Sequence, residues 1–233
     1  MSRIRFTFTR DILLAYISHL DMLRLFIRAL RRSNLPLEYS QGYSPHPRFT
    51  LALPLPLGVT AGEEFGEVYF SETIEPGFFK EKLAFQLPKG LELTNAFLVS
   101  TEAPSIAALV RAASYRAKLK ETSPDDGKIN FIKESLEKLL SKEEIIMKRT
   151  NKKKKIISTN VRPFIKKAEI CYKKNTGLEL MLELEAGSQG GISPVFFLEQ
   201  LQGEAPAEMP GLHEWQIHRE KLIFTDNPLS ASD

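Results

Sequence analysis

RIRFTFTRDILLAYISHLDMLRLFIRALRRSN, residues 3–34, decides the fold class, because it joins a short strand to an amphipathic helix. Residues 3–9 alternate apolar and polar side chains, which is the period of a half-buried β-strand. Ser18 and Asp21 then form a near capping box at the start of a helix, and the tripeptide NLP at residues 34–36 marks its end.

The predicted helix has two different faces. At about 100° per residue, its apolar residues fall on one arc and its arginines on another. The apolar face, which we expect to pack on a sheet, contains Leu20, Leu23, Phe26, Ile27 and Leu30. The arginine stripe beside it contains Arg24, Arg28 and Arg31, with Arg32 at its edge.

Working outward from this stretch, the hydrophobic patterns give the same order of elements twice. The first round continues with a helix over 77–86 and with strands over 35–40, 48–55, 63–70 and 91–99. The second round has helices over 128–141 and 194–202 and strands over 112–120, 178–184 and 215–224, together with a hairpin of 144–149 and 154–159. Residues 161–174 add a further strand or an irregular crossing.

This order, β-α-β-β-α-β in each round, predicts an α+β fold with two ferredoxin-like domains in tandem. The first domain spans residues 1–103 and carries the arginine stripe. The second spans residues 104–226 and carries the basic hairpin, and residues 227–233 form a disordered tail.

Composition indicates an ordinary globular protein of the cytoplasm. The chain has 233 residues, of which 42% are hydrophobic and 26% charged, and no apolar run has the roughly 20 residues that span a bilayer. The N-terminus alternates polar and apolar residues, unlike a signal peptide. Cys171 is the only cysteine, which excludes an intramolecular disulfide and a cysteine-rich metal or iron–sulfur site within the chain.

The charges are unevenly distributed, although the net charge is only +3. Residues 1–48 contain eight arginines and three carboxylates, and residues 148–174 contain eleven Lys/Arg and only Glu169 as an acid. Residues 179–233 are acidic. Such asymmetry predicts a basic face that binds a polyanion, with a merely solvated basic surface as the alternative.

The segment YSQGYSPHPRFTLALPLPLGV, residues 39–59, follows the helix. Its glycine and prolines predict a rigid loop over residues 39–48. Residues 49–59 are predicted to form a core strand that leads out of this loop. The loop offers stacking rings, a titratable group and a phosphate partner in Tyr39, Tyr43, His46 and Arg48. Aromatic rings beside cations hold single-stranded nucleic acid. The alternative is a turn whose tyrosines cap the core and whose histidine is a surface residue.

Two further groups are candidates for phosphate binding. The arginine stripe suits bidentate phosphate contacts, unless it pairs with Glu63, Glu64 and Glu67. The hairpin tip offers unspecific attraction through Lys152, Lys153, Lys154 and Lys155, or is simply a solvated turn. GSQGGISP, residues 187–194, presents backbone N–H groups before a helix, but a glycine-rich turn is the default interpretation.

Signals for catalysis are few. No metal-ligand spacing, carboxylate pair or nucleophile elbow is present, and we expect no cofactor. His19 lies in the first helical turn, where it serves either as a titratable group or as a packing and capping residue. If the protein is a metal-independent ribonuclease, the acid/base candidates are His46 and His19. Tyr43 or Tyr39, together with an arginine, would then stabilise the pentacoordinate phosphate.

Four motifs follow one another in an order that resembles the radical-SAM-linked proteins, a bacterial domain family of undefined function. They are ISHLD (17–21), RALRR (28–32), LPLEYSQGYSPHPR (35–48) and ALPLPLG (52–58). VRPFI (161–165) and GGISP (190–194) resemble the family's C-terminal half in form only, and Tyr43 stands where the family has Phe. Members occur alone or joined to the C-terminus of radical SAM proteins with a cobalamin-binding-type domain.

The resemblance implies association with a radical SAM protein in an RNA context. The chain lacks the three-cysteine cluster motif, so it is not itself a radical SAM enzyme. By fold alone it is similar to CRISPR repeat-processing endoribonucleases, an analogy that transfers no residues.

Three hypotheses follow, of which the first is favoured. The protein is an RNA-binding accessory module for ribosomal or transfer RNA, or a protein-interaction subunit that docks on a radical SAM partner through ALPLPLGV, or a metal-independent endoribonuclease. No membrane association is expected. The first hypothesis depends on the arginine stripe and the loop over 39–48 converging on one cationic patch.

Overall fold

The computed structural model describes residues 1–150, 154–173, 177–187 and 190–229. Its strands are β1 (Ser2–Arg10), β2 (Phe49–Leu51), β3 (Val59–Phe70), β4 (Leu91–Val99), β5 (Val110–Leu119), β6 (Ile146–Thr150), β7 (Ile156–Asn160), β8 (Ile165–Lys173), β9 (Gly177–Glu185) and β10 (Trp215–Phe224). Its α-helices are α1 (His19–Arg32), α2 (Pro76–Ala84), α3 (Ile106–Leu109), α4 (Asp126–Leu140) and α5 (Pro194–Gln202).

The protein is α+β, as the sequence predicts. Within the described ranges, eight strands form one mixed sheet in the order β4-β1-β3-β10-β5-β9-β8, with β2 paired to β3. Strands β6 and β7 form a separate two-stranded hairpin. The finer prediction of two ferredoxin-like domains in tandem stays a prediction, as do the domain limits at residues 103 and 226.

The chain divides into two compact units. The first contains residues 1–111 and the described residues from 219 onward, and the second contains residues 112–218. Within the described ranges, no helix is both long and apolar enough to cross a membrane.

In the first unit, β1 lies between β3 and β4 and is antiparallel to both. Phe6 stands opposite Gly66 in this register. Helix α1 covers one face of these strands, with Ser18 as its N-cap residue. Its Phe26 ring lies 4.9 Å from the ring of Phe8 and 5.4 Å from that of Phe49, so that aromatic packing joins the helix to β1 and β2.

The apolar face of α1 differs from the predicted one. The buried residues are Met22, Phe26, Ala29 and Leu30. Leu20, which we expected on the buried face, is 62% exposed. The helix packs on the sheet through a face rotated toward the small side chain of Ala29, which lets the helix approach the aromatic rings closely.

Strand β1 also differs from prediction, because it is buried on both faces. The expected solvent-facing residues Arg3, Arg5 and Thr7 are as inaccessible as the apolar residues between them. Strand β1 is a central strand, so both of its edges are paired. Its polar face is covered by residues whose carbonyls accept hydrogen bonds from the guanidinium groups of Arg3 and Arg5.

Two predicted strands are shorter than expected. Residues 35–40 form only isolated bridges, from Leu37 to Phe70 and from Tyr39 to Pro47. Of the predicted strand 48–55, only β2 is extended and paired. The prolines that follow cannot donate to a ladder, which ends the strand.

In the second unit, β9 lies between β5 and β8 and is antiparallel to both. Its alternating leucines, Leu178 to Leu184, are all buried. Residues 165–173 form strand β8, with a register shift between Ile165 and Lys167, so that most of the segment 161–174 is a strand. The predicted hairpin is confirmed, since Lys148 stands opposite Ser158 in the β6–β7 pair.

Candidate functional site

The arginine stripe lies on the exposed face of α1, as predicted. Arg24 donates to Asp21 at 3.0 Å, and both side chains are largely exposed. Asp21 also accepts a hydrogen bond from the Ser18 hydroxyl at 2.7 Å. The Ser18 hydrogen bond, and then the one from Arg24, lower the pKa of Asp21. One cation of the stripe is therefore shared with a local acid, whereas Arg28 and Arg31 are exposed.

Arg32 has a different role from the rest of the stripe. Its guanidinium donates to the Gln86 side-chain oxygen at 3.1 Å and to the Gln86 carbonyl at 2.8 Å. These contacts tie the end of α1 to the residues that follow α2. Arg32 is exposed but already directed to a structural partner.

The acids that could have neutralised the stripe are engaged elsewhere. Glu67 is buried and pairs with Arg3 and Arg5. Glu64 is buried and pairs with Arg219. Among the described residues, neither carboxylate is paired with an arginine of the stripe, so the alternative in which Glu64 and Glu67 neutralise the stripe is wrong.

The loop over 39–48 has a fixed neck and an exposed tip. The Ser40 amide donates to the His46 carbonyl at 2.8 Å, and the Arg48 amide donates to the Glu38 carbonyl at 2.8 Å. Beyond this neck every residue from 41 to 46 is exposed. Gly42 has a φ of 133°, a conformation that side chains with a Cβ rarely adopt.

Tyr43 stands at this tip and is fully exposed. The alternative role, a ring that caps the core, is therefore wrong for Tyr43. Tyr39, in the neck, is partly exposed. His46 is exposed, and its Nδ1 lies 3.0 Å from the Ser40 hydroxyl and 3.4 Å from the Ser44 carbonyl, which orients the ring.

Arg48 leaves the loop beside Tyr69. Its guanidinium lies 3.9 Å from the centre of the Tyr69 ring and 2.5 Å from a Glu38 oxygen. Burial, and then the charge of Glu67, raise the pKa of Tyr69. Arg48 remains 43% exposed, so that one face of the guanidinium is stacked while an edge reaches solvent.

The stripe and the loop are not joined by direct contacts. Among the residues described, no hydrogen bond or ion pair links an α1 arginine to the loop. Their convergence on one patch stays a prediction.

The basic hairpin is described in part. Lys154 and Lys155 are exposed at the start of β7. Lys152 and Lys153, which are also predicted to bind nucleic acid, lie outside the described residues. Of the GSQGGISP turn, Ser193 caps α5 by accepting from the Phe196 amide at 3.1 Å. Residues 188 and 189 of that turn lie outside the described ranges as well.

His19 lines a small cavity of the first unit together with Arg10 and Glu64. The cavity has a volume of about 10 Å³, the space of one water molecule. Burial, followed by the charges of Arg10 and Arg219, lowers the pKa of His19. The imidazole is therefore neutral near pH 7, which suits a packing residue better than a proton donor.

The pH dependence of stability tests this environment. A histidine whose pKa is lower in the folded chain than in the unfolded chain takes up its proton preferentially on unfolding. The free energy of unfolding should therefore fall as the pH drops below about 6.5, the unfolded-chain value. Urea titrations at several pH values should show that His19→Gln loses this part of the dependence.

The matched control for this prediction is His46→Gln, because His46 is exposed. It should retain the wild-type pH dependence. If the free energy of unfolding depends on pH equally strongly in wild type and in His19→Gln below about pH 6.5, the lowered pKa of His19 is contradicted.

Several arginines are buried, which the sequence pattern does not predict. Arg10 donates from Nη2 to the carbonyls of Leu14, Ala15 and Ile17 at 2.8, 3.0 and 2.7 Å. It thereby holds the turn before α1 around its guanidinium. The only sequence signal is an arginine at the end of a strand, which does not distinguish a buried position from an exposed one.

The solved structures that match the chain include two at low sequence identity. A structure of a Cbf5-Nop10-Gar1 complex matches with a TM-score of 0.42 and 12% identity, over 97% of this chain and 50% of that chain. The chain thus spans about half the length of that relative. A candidate glycine cleavage system transcriptional repressor matches with a TM-score of 0.22 and 11% identity, over 97% and 98% of the two chains.

No curated protein matches the chain. A family model does, over residues 3–194, which is most of the sequence and includes the helix, the loop and the proline-rich tract described above. That family carries the description "Uncharacterized protein conserved in bacteria". The chain belongs to this bacterial family, DUF2344.

Proposed function

We propose that the protein is an RNA-binding accessory module that acts beside a radical SAM protein in RNA modification or ribosome-related processes. The observation that carries the RNA part is the loop over 39–48, whose neck is held by backbone hydrogen bonds and whose tip presents a fully exposed Tyr43. A large ring that buries nothing in its own chain contributes nothing to folding, but it supplies a stacking surface for an unpaired base.

Cationic groups of the same unit support this proposal. Arg28 and Arg31 are exposed on α1, and Arg48 keeps an exposed edge beside the loop. Fewer arginines can reach RNA than the arginine content of residues 1–48 suggests, because Arg3, Arg5 and Arg10 are buried. We infer modest affinity in which stacking matters as much as charge.

We also propose that the first unit has a ferredoxin-like fold. Four of its strands pair in the order β4-β1-β3-β2, and each of these pairs is antiparallel. Together with α1 and α2 these strands follow the β-α-β-β-α-β order along the chain, which supports a ferredoxin-like first domain. We propose a ferredoxin-like fold for the second unit as well. We also propose that the radical SAM partner acts on the RNA that the first unit binds.

RNA binding can be measured by fluorescence anisotropy with labelled single-stranded RNA. Tyr43→Ala should weaken binding by about tenfold, because stacking on an aromatic ring contributes about 1–3 kcal/mol per base. The slope of log affinity against log salt should not change, since the ring carries no charge. Phe85→Ala is the matched control, because Phe85 is also an exposed aromatic residue of the first unit.

Arg28→Gln tests the charged part separately. It should weaken binding to every RNA sequence alike and reduce the salt slope by about 0.7, the value for one phosphate contact on a single strand. Lys133→Gln, which removes an exposed charge of the second unit, should change neither the RNA affinity nor the salt slope. Affinity that is unchanged between about 50 and 200 mM salt, or equal effects of Tyr43→Ala and Phe85→Ala, would rule out the proposal.

A further inference from the structure

The second unit has an open sheet edge. Strand β8 ends the strand order, and among the described residues it pairs only with β9. From Lys167 to Lys173 its register with β9 continues without a bulge. Along this stretch every second residue directs its backbone N–H and C=O groups away from β9, and these groups form a template for a further strand.

A groove runs along this edge. It has a volume of about 360 Å³ and lies between β8 and α4, where Leu136 and Leu140 provide apolar side chains. Lys133 and Glu137 of α4 also line it, so the helix side favours neither sign of charge. On the strand side it is lined by the consecutive residues 168–171. Because successive side chains of a strand point to opposite faces, a groove that touches all of them follows the edge itself. The groove therefore suits an extended chain.

The other end of the strand order, β4 in the first unit, does not offer such a template. Its register with β1 shifts between Leu93 and Asn95, which leaves Thr94 as a bulge. The Lys80 side chain donates to the Thr94 carbonyl at 2.6 Å. A bulge interrupts the ladder, and a bonded carbonyl is no longer an acceptor. In the described parts of the chain, the regular stretch of β8 has neither interruption.

The sequence of β8 indicates which strand can occupy its edge. In a two-fold antiparallel pair of identical strands, opposite side chains lie on the same face of the sheet, and every contact occurs twice. Three such registers pair at least five residues of the regular stretch, and they are centred on Glu169, Ile170 and Cys171. The charges distinguish between these registers.

Only one of the three registers brings opposite charges together. The register centred on Glu169 places two carboxylates opposite each other, and the register centred on Ile170 places Lys167 opposite Lys173 at both ends. Like charges directly opposite each other are destabilising. The register centred on Cys171 places Glu169 opposite Lys173, and symmetry repeats this contact. The strand is therefore complementary to itself in this register.

The same register also matches the apolar side chains of β8. It places Ile170 opposite Tyr172 of the second copy, an aliphatic–aromatic cross-strand pair. Ile170 lies on the core side of the sheet, since it stands opposite the buried Leu180 of β9. The ring of the second copy is thus directed to the side of the groove that contains Leu136 and Leu140, where it adds apolar contacts to the hydrogen bonds of the ladder.

The existing ion pair of Glu169 is compatible with this arrangement. Glu169 lies 2.9 Å from Lys167 of its own strand, and both side chains are more than half exposed, so the pair contributes little stability. A carboxylate has two accepting oxygens. Glu169 can therefore keep its contact with Lys167 while it accepts from Lys173 of the second copy.

We propose that the protein forms a two-fold dimer in which β8 pairs antiparallel with β8 of a second copy, in the register centred on Cys171. The contact joins two sheet edges and includes one small groove from each copy, so the dimer forms reversibly at micromolar concentrations. It uses none of the residues that we propose to bind RNA. Either proposal can therefore fail while the other holds.

Sedimentation equilibrium of the full chain measures the dimer, and charge substitutions test its register. Glu169→Lys should raise the dissociation constant at least about tenfold, because two attractive contacts become repulsive. Lys173→Glu should have the same effect. A chain with both substitutions should dimerise like the wild type, since opposite charges again face each other. Positions 169 and 173 are roughly 13 Å apart along one strand, so this recovery cannot arise within a single chain.

Glu134→Lys is the matched control, because Glu134 is an exposed acid of α4 that does not line the groove. It should leave the dissociation constant unchanged. All these variants should keep the wild-type melting temperature, since Glu134, Glu169 and Lys173 are exposed. Three results would overturn the proposal: a monomeric wild type at the highest soluble concentration, equal effects of Glu169→Lys and Glu134→Lys, or no recovery in the doubly substituted chain.

Cys171 allows a second test of the register. It is the only cysteine of the chain, and its side chain is exposed. In the proposed register the Cα atoms of the two copies of Cys171 are about 4.5–5.5 Å apart. A bismaleimide with a short flexible spacer should therefore join two copies through their thiols, with a yield that Glu169→Lys lowers and the double substitution restores. A dimer in solution that is not crosslinked, or a yield that Glu169→Lys leaves unchanged, would contradict the register.

Amide hydrogen exchange distinguishes a second copy from an extended segment of another protein. If a second copy covers the edge, the amides of β8 should exchange more slowly at high than at low concentration of the purified protein, whereas those of β4 should not change. Exchange in β8 that is independent of concentration would contradict the dimer. Protection that appears only when cell extract is added would show that another protein occupies the edge instead.

Discussion

Glu67→Ala should lower the free energy of unfolding by about 3–5 kcal/mol, the range for removing one partner from a buried ion cluster. One oxygen of the Glu67 carboxylate lies 2.5 Å from Nη2 of Arg3 and 2.8 Å from Nε of Arg5. The same oxygen accepts from the Ile106 amide at 3.2 Å. Without it, two guanidinium groups remain in the interior with no counter-ion.

The backbone around this cluster cannot compensate for the lost charge. Arg3 also donates to the carbonyl of Ala103 at 2.6 Å, and Arg5 donates to that of Pro228 at 2.6 Å. These carbonyls satisfy hydrogen bonds, but they are neutral. Nε of Arg3 is already buried without a partner in the described structure. The cluster therefore has no spare acceptor for a stranded cation.

Urea denaturation at neutral pH measures the effect. Glu63→Ala is the matched control, because Glu63 lies on the same strand but is exposed, and its loss should change stability by less than about 0.5 kcal/mol. Similar losses for the two variants would mean that the Glu67 carboxylate is not needed by the arginines.

This cluster shows what the sequence could not predict. The alternation in residues 3–9 indicates correctly that β1 has one apolar and one polar face, but it does not say that the polar face is exposed. That depends on Glu67, more than sixty residues away on another strand, and on carbonyls still more distant. A pattern read from neighbouring residues contains no information about such partners.

Elements set by local signals were predicted well. Strands β4 and β10 and helix α5 have the predicted limits, 91–99, 215–224 and 194–202. Each has a clear hydrophobic period or a capping residue at its start, such as Ser193 before α5. The buried face of α1 was less predictable, since leucines occur around much of the helix and the sheet selects which of them it covers.

For the candidate site, sequence and structure contribute different parts. The prolines and Gly42 predict a constrained loop, because their effect on the backbone is local. That Tyr43 is fully exposed depends on how far the tip projects, and that Tyr16 is exposed depends on the contacts of Arg10. Exposure of an apolar side chain is a tertiary property, because it depends on which distant parts of the chain pack around that residue.

Arg219→Met should have an effect of similar size, a loss of about 3–5 kcal/mol, because it strands the Glu64 carboxylate in the interior. Arg219 is fully buried, and its Nε lies 2.6 Å from Oε1 of Glu64. Its other nitrogens donate to the carbonyls of Leu53 at 3.1 Å and Pro54 at 3.2 Å. Methionine fills a similar volume but provides none of these donors.

The carbonyls of Leu53 and Pro54 belong to the proline-rich tract ALPLPLG, residues 52–58. Arg219→Met should therefore also reduce the local stability of this tract. Leu53 and Pro54 lie a few residues before Gly58, whose amide donates to the Ala15 carbonyl at 2.8 Å. Amide hydrogen exchange should therefore be faster at Gly58 in Arg219→Met than in wild type, even where the following strand, β3, stays protected.

Lys221→Met is the matched control on the same strand, because Lys221 is exposed and its replacement by the same side chain should leave stability within about 0.5 kcal/mol of wild type. If Arg219→Met unfolds at the same urea concentration as Lys221→Met, the ion pair with Glu64 contributes nothing to stability. If stability falls but exchange at Gly58 rises only as much as exchange within β3, Arg219 stabilises the whole unit without positioning the tract. Loss of stability together with selective exchange at Gly58 would show that one buried arginine both stabilises the core and positions the proline-rich tract.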